Sequence, residues 1–227
     1  MLNYVVTTCG EEHTFELVYE LVYQMAENID DISSLYIVMD SSKIKPNSEF
    51  YDEMVSYIED TCYDISGDDE KEFETLFSKI YIEPVEFKGN FADFKNEVHK
   101  SITKGEYVVQ IDADEDIDSD FTYELIPVLG DNDVDLIFLA RENIVDGITD
   151  EYIKKMGWVL DKDGLVNYPD YQGRVYKLLR DEMWKGKVHE RVEGVNNVGY
   201  TDKQELRLIH LKTFEKQKKQ NELYNNL

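Results

Sequence analysis

Apolar positions follow two rhythms along the chain. Residues 2–8, 35–39, 80–87 and 107–111 are short, nearly continuous apolar runs of the kind buried strands make. Between them the spacing changes to that of helices. Phe15, Val18, Leu21, Val22, Met25 and Ile29 share one face, as do Phe50, Met54, Tyr57 and Ile58. The loop at residues 66–70 is acidic and leads into another short helix, and Phe91, Phe94, Val98 and Ile102 mark a further helical face. This β-α-β-α-β-α-β order predicts a mostly parallel sheet with helices on both faces, an α/β fold of Rossmann-like type. Such sheets bind ligands beyond the carboxyl ends of their strands. Thr7, Thr8, Asp40 and Asp112 stand at those ends.

The second part is less regular. Residues 134–139, 174–179 and 206–210 read as strands. Residues 157–166 read as a hairpin around Asp161-Lys162-Asp163-Gly164. The stretch 213–226 reads as a helix with Phe214, Gln217 and Tyr224 as docking positions. No Pro- or Gly-rich boundary separates the halves, so one continuous domain is expected. Its parts are 1–116, 117–210 and a C-terminal helix over 211–227.

Composition narrows the class. The chain has 227 residues, 42% of them hydrophobic, enough for a full-sized core. No apolar run approaches the ~18 residues of a membrane span. The start lacks the charged and apolar regions of a leader. A cytoplasmic protein without a membrane segment is expected. Cys9 and Cys62 are too few and too far apart for a zinc knuckle or a disulfide framework. The formal charge of −25 repels phosphate backbones, so generic nucleic-acid binding is not expected. Most of these acidic residues are solvated faces.

One acidic group is placed differently. Asp112, Asp114, Glu115 and Asp116 follow an apolar strand directly, with Ala113 between the first two. A single turn there brings several carboxylates together, and a cation relieves their repulsion. Oxygen ligands of this kind suit Mg2+ or Mn2+ bridging a diphosphate. The alternation of Asp through Asp120 imitates a calcium loop, but Ile117 and Tyr123 occupy the positions where that loop needs Gly and Glu. A calcium loop is therefore excluded.

At this point the residues resemble the family 2 glycosyltransferases of GT-A type. The likeness rests on three motifs in order. The first is Phe91 to Asn96 followed by the strand ending Asp112-Ala113-Asp114-Glu115. The second is Pro169 to Leu179 with Arg174, and the third is Trp184 to Glu190 followed by His210. One departure is Gln172-Gly173-Arg174, which stands where many members carry Gly-Gly on the acceptor side. The resemblance implies a GT-A fold, with residues 1–116 binding a nucleotide-diphosphate sugar and 117–210 binding the acceptor. It implies that Asp40 contacts the donor's base and that Thr7, Thr8 and Cys9 line the nucleotide pocket. Lys95 and Asn96 face the donor, Asp112 touches ribose or metal, and Asp114 with His210 holds Mn2+ or Mg2+. Glu190 is the implied general base.

Sugar transfer needs a stabilised leaving diphosphate, an activated hydroxyl and their alignment. Lewis-acid assistance at Asp114 and His210 supplies the first, and a carboxylate such as Glu190 supplies the second. One base and one direct displacement invert the anomeric centre, unlike a two-carboxylate retaining glycosidase. Asp170 and Glu142 are rival bases, and a surface ion pair with Lys187 or Arg191 is the bland role for Glu190. Arg174 is a candidate phosphate partner through its fork geometry, or else a strand-edge ion pair. Trp158, Asp170, Gln172, Trp184 and His189 are candidates for the acceptor side, with core packing the alternative for both tryptophans. His13 and His99 read as surface residues. The basic tail from Lys212 to Lys219 is a solvated helix face or a cover for the donor site.

The sequence leaves the donor sugar open, and the acceptor as well, whether glycan, protein side chain or modified nucleobase. Two other functions compete. A nucleotidyltransferase shares a nucleotide-binding half but usually carries a Gly-rich basic loop after its first strand, where this chain has the acidic 8–13. The other is a non-enzymatic acidic protein, binding cations or imitating nucleic acid.

Overall fold

The computed structural model describes residues 1–226, with side chains through residue 222. The expected docking position Tyr224 lies outside the described side chains. The chain opens with β1 (Leu2–Thr8), α1 (Thr14–Glu27), β2 (Ile32–Asp40), α2 (Glu49–Ser66), α3 (Glu70–Phe77) and β3 (Ile80–Val85). It continues through α4 (Phe91–Asn96), β4 (Tyr107–Asp112), β5 (Asp116–Ile117), α5 (Phe121–Asp131), β6 (Leu136–Leu139) and β7 (Arg141–Asp146). The last part holds α6 (Asp150–Met156), β8 (Gln172–Lys177), β9 (Trp184–Lys185), β10 (Arg191–Val192), β11 (Val198–Thr201), β12 (Leu208–Thr213) and α7 (Phe214–Asn226).

The main sheet has seven strands in the order β11-β6-β8-β4-β1-β2-β3. Only β8 runs antiparallel to its neighbours, β4 and β6. Strands β1, β2 and β4 are the most buried because both of their faces are covered. Leu2, Tyr4 and Val6 join a core with α1, α2, α3 and α5, whereas Val5 joins a second core with α4, Tyr176 and Trp184. The period-two alternation of a strand makes this division. It explains why the sequence shows a continuous apolar run rather than an alternating one. This is the expected mixed α/β architecture, with helices on both faces of a mostly parallel sheet.

A smaller sheet, β5-β12-β7, lies beyond the end of β4. Pairing of Leu208 and Ile209 in β12 with Ile117 and Asp116 draws the acidic turn toward the C-terminal segment.

Several local expectations need correction. Helix α4 ends at Asn96 and tightens into a 3-10 turn over Glu97–Lys100, so the face through Ile102 is not one helix. The expected hairpin over 157–166 is present only as a short one turning at Asp161 to Gly164, just after the end of α6. Gly157, at φ 68°, closes that helix in the left-handed conformation, and only a single Leu160–Val166 bridge follows. The last strand begins at Leu208 rather than 206, preceded by a 3-10 turn.

Candidate active site

Register brings the first two site strands together. Thr7 and Asp112 are neighbours across the β1–β4 ladder, and the Thr7 hydroxyl donates to Asp112 Oδ1 at 2.9 Å. The same carboxylate lies 2.8 Å from Lys95 Nζ and 2.7 Å from Arg174 Nη2. Lys95 reaches it from α4, whose first turn is fixed by Asn90 Oδ1 accepting from the amides of Ala92 and Asp93. Burial would raise the Asp112 carboxyl, but Arg174 and Lys95 outweigh it and hold it well below the usual range.

Glu115 is fully buried, which the acidic run does not suggest. Its Oε1 accepts from Arg174 Nη2 at 2.7 Å and Arg141 Nη1 at 2.9 Å, and its Oε2 accepts from the Asp112 amide at 3.1 Å. Two arginines and a backbone amide therefore pin the acidic turn from below. Burial opposes the charge on Arg174, and Asp112 and Glu115 raise it further than burial lowers it.

Asp114 projects from the turn toward β12 and α7. Its Oδ2 lies 3.2 Å from His210 Nε2 and 3.3 Å from Lys216 Nζ. Burial raises it, but His210, Lys216 and Lys212 prevail and hold it far below the ordinary carboxylate value. The imidazole is oriented by a relay. Asn143 Nδ2 donates to Asp170 Oδ2 at 2.8 Å, so Asn143 Oδ1 faces His210 Nδ1 at 2.9 Å and accepts its proton. Nε2 is thereby turned toward Asp114. It is buried and makes no aligned hydrogen bond. Among the described residues no three His, Cys, Asp or Glu side chains are grouped to hold a metal ion, so this carboxylate and imidazole would offer a cation two protein donors. Asp114 is the hard oxygen ligand that Mg2+ and Mn2+ prefer, His210 adds a nitrogen donor, and phosphate oxygens and water would complete the shell.

Two clefts meet here. One, of about 310 Å3, is lined by Thr7, Thr8, Cys9, Lys43, Lys95 and Phe87, with Lys216 and Lys219 of α7 on the opposite side. The other, of about 460 Å3, holds Arg141, Trp158, Asp170, Gln172, Arg174 and His189. Asp112, Asp114 and Glu190 line both. Glu190 Oε1 lies 2.8 Å from Lys95 Nζ, and its side chain keeps 15% of its surface exposed. Asp170 is more heavily engaged, accepting from Arg141, Asn143 and Gln172. Burial raises Asp170, and Arg141 with those hydrogen bonds holds it lower. Glu142, the other rival, pairs with Arg207. Three non-glycine residues have left-handed backbone among the described residues, and two of them, Asn167 at φ 56° and His189 at φ 53°, line the larger cleft. Strain of this kind concentrates at functional sites.

Some candidates sit elsewhere than expected. Asp40 is fully buried, and its Oδ1 serves the loop by accepting from Ser42 N, Ser42 Oγ and Phe87 N. Asn96 clamps the Trp184 backbone through both side-chain atoms rather than facing the donor cleft. Arg174 lines the larger cleft instead, its guanidinium committed to Asp112 and Glu115. Trp184 is 3% exposed and packs in the core, with Nε1 donating to Tyr176 Oη. His99 is not a surface residue. It is fully buried, with Nδ1 donating to Asp181 O at 2.8 Å and Nε2 accepting from Tyr176 Oη at 2.7 Å. His13 is half-exposed between Glu16 and Asp116. The sequence gives no sign that Lys43, Arg141 and Asn143 belong to this arrangement, whereas Glu115 stands in the acidic motif and Lys216 in the basic tail.

No family model and no curated protein matches the chain. Solved structures do. Residues 1–349 of Staphylococcus aureus TarS in complex with UDP-GlcNAc superpose with a TM-score of 0.54 at 13% identity, over 93% of this chain and 58% of that one. The longer TarS structure gives 0.52 at 12% identity, over 93% and 36%. A 4-diphosphocytidyl-2C-methyl-D-erythritol synthase gives 0.51 at 13% identity, over 98% and 97%. The chain thus spans about a third of the longer TarS structure and under two thirds of its 1–349 portion. These likenesses establish a Rossmann-like α/β fold.

Proposed function

We propose that the chain is a glycosyltransferase that moves a sugar from a nucleotide-diphosphate sugar to an acceptor hydroxyl. The observation that carries this reading is the meeting of two clefts at Asp112, Asp114 and Glu190. Beside Lys95 and Lys216, which pair with Asp112, Glu190 and Asp114, the smaller cleft carries Lys43 and Lys219 as cations for a diphosphate on a chain whose net charge is −25. Thr7, Thr8 and Cys9 line its far end for the nucleoside. The larger cleft takes the acceptor, and Glu190 stands where the two ligands meet. A TarS structure with UDP-GlcNAc bound shares this fold and supports a nucleotide-sugar donor.

In this account Glu190 accepts the proton of the acceptor hydroxyl as that oxygen forms its bond to the anomeric carbon. The carbon–phosphate-oxygen bond breaks, and the nucleoside diphosphate leaves with the electron pair toward the lysines. A single displacement inverts the centre. Asp114 and His210 would hold Mn2+ or Mg2+, which when bound neutralises charge developing on the leaving diphosphate. Lys95, between Asp112 and Glu190, positions both carboxylates. Arg174 and Arg141 keep the acidic turn in place through Glu115.

A nucleotidyltransferase is the second reading, favoured by the synthase that matches over nearly the full length of both chains. Its chemistry breaks a phosphoanhydride, and the loop after β1 is acidic where that reaction calls for cations.

The test is a panel of nucleotide sugars with Mn2+ or Mg2+, read by thermal shift and nucleoside diphosphate release. A true donor at a hundredfold excess over its Kd stabilises by ~2.7 kcal/mol, or roughly 5–10 °C for a chain of this size. Release from one donor, lost in Asp114→Ala, is expected. Response to no donor, with strong stabilisation by Ca2+ alone, would contradict the proposal and favour an acidic cation-binding protein.

A further inference from the structure

We infer that the larger cleft is a carbohydrate site, so that the acceptor hydroxyl belongs to a sugar rather than to a protein side chain or a nucleobase. The inference rests on the transferase reading for the word acceptor, and on the cleft itself for the chemistry. Trp158 is half-buried in its wall. Its ring is supported from behind by Tyr152, edge-on at 5.8 Å, and Tyr152 is supported in turn by Phe214 of α7 at 4.7 Å. Asn221 Nδ2 fixes the same tyrosine by donating to its hydroxyl at 2.8 Å. A supported indole at the rim of a polar cleft is a flat apolar surface, which suits the C–H face of a pyranose ring.

Six amide side chains share the polar lining with charged groups that are largely paired among themselves. Asn167 Oδ1 accepts from the Val159 amide at 2.9 Å, leaving its NH2 as a donor to the cleft. Gln172 Nε2 donates to Asp170 and Gln217 Nε2 donates to Asn221, leaving both Oε1 atoms as acceptors. One amide donor and two amide acceptors thus line the same cleft as the indole, a mixture that suits neutral hydroxyls, each both donor and acceptor.

Charge disfavours a nucleic-acid acceptor, although Lys212 also lines the cleft with its Nζ donating to Gln220 Oε1. The three arginines of the cleft are each committed to carboxylates: Arg141 to Glu115 and Asp170, Arg174 to Asp112 and Glu115, Arg191 to Glu193. A nucleobase acceptor would bring a phosphate backbone against a chain of net charge −25 with no free guanidinium to meet it.

The test is ligand-observed saturation-transfer NMR on the full chain without donor or metal. The probes are methyl hexopyranosides and disaccharides, a Ser/Thr peptide and a 5-hydroxymethylated nucleoside. Saturation is expected at the sugars' ring protons, lost in Trp158→Ala and kept in Trp158→Phe, with near-native melting as the folding control. Saturation of the peptide or nucleoside with none at any sugar would overturn the inference, as would sugar contact that survives Trp158→Ala unchanged. A donor response without sugar contact would overturn this inference alone. Sugar contact without response to any nucleotide sugar would instead overturn the transferase reading and leave a sugar-binding cleft.

Discussion

Arg174→Met should be among the most damaging single changes in the chain, because it strands carboxylates the fold has already removed from water. The guanidinium is 5% exposed and contacts Asp112 and Glu115 at 2.7 Å each. Glu115 is fully buried, whereas Asp112 keeps 29% of its side chain exposed, so most of the cost falls on Glu115. Removing one partner of a buried pair typically costs about 3–5 kcal/mol, which lowers Tm by roughly 6–20 °C for a chain of this length. Arg141 still reaches Glu115 at 2.9 Å, which places the expectation toward the lower end. The sign with pH is defined. Asp112 is held well below its usual range by Arg174 and Lys95 against the opposing effect of burial. That stabilisation is present above the unfolded value near ~3.9 and is lost as pH falls below it. The deficit of the variant should therefore shrink in acid. Urea melts of wild type, Arg174→Met, Glu115→Gln and the double variant at pH 7 and pH 3.5 measure both effects. A coupling of about 2 kcal/mol or more is expected at pH 7. A loss under about 1 kcal/mol, equal to that of an exposed pair, would mean that Glu115 does not depend on Arg174.

Three further outcomes follow from the same geometry. Burial lowers His99 from its ordinary value to about 4, so the unfolded chain takes up a proton there that the folded chain refuses. Stability should fall by about 3 kcal/mol between pH 6.5 and 4, and urea melts of His99→Gln should lack that slope; an unchanged slope would count against it. Asn143→Leu releases the His210 ring and should weaken Mn2+ binding about 10–100-fold, measured by water-proton relaxation without turnover; an unaltered Kd would argue that the relay does nothing. Lys216→Gln removes a competitor for Asp114 from a half-exposed pair worth up to about 1 kcal/mol, so donor-free Mn2+ binding should tighten by up to about fivefold; weaker binding would show that the lysine assists the cation.

The parallel half of the fold was legible because burial on both faces turns β1, β2 and β4 into continuous apolar runs. The β5-β12-β7 sheet was not. Residues 141–146 mix charged and apolar positions because that strand pairs beside the site rather than inside the core. Asp112, Asp114 and Glu190 were expected together from motif order, and the structure places all three where the clefts join. His99 reads from the sequence as a surface residue, and Glu115 as one carboxylate of a clustered turn with no sign of its burial. The distant partners of both are what local sequence does not show. Those partners lie 26 and 59 residues away for Glu115 and 77 and 82 for His99. Arg174 was misplaced similarly. Its fork suits phosphate, but two carboxylates of the acidic turn reach it first.

A glycosyltransferase and a nucleotidyltransferase differ in the bond they break. Phosphorus NMR of the full chain with Mn2+, each nucleotide sugar and a sugar acceptor, set beside a nucleoside triphosphate with sugar 1-phosphates, decides it directly. The account predicts nucleoside diphosphate from one nucleotide sugar, with an inverted glycoside formed and both lost in Glu190→Gln. Pyrophosphate released from the triphosphate, with every nucleotide sugar left intact, would contradict it and make the chain a nucleotidyltransferase.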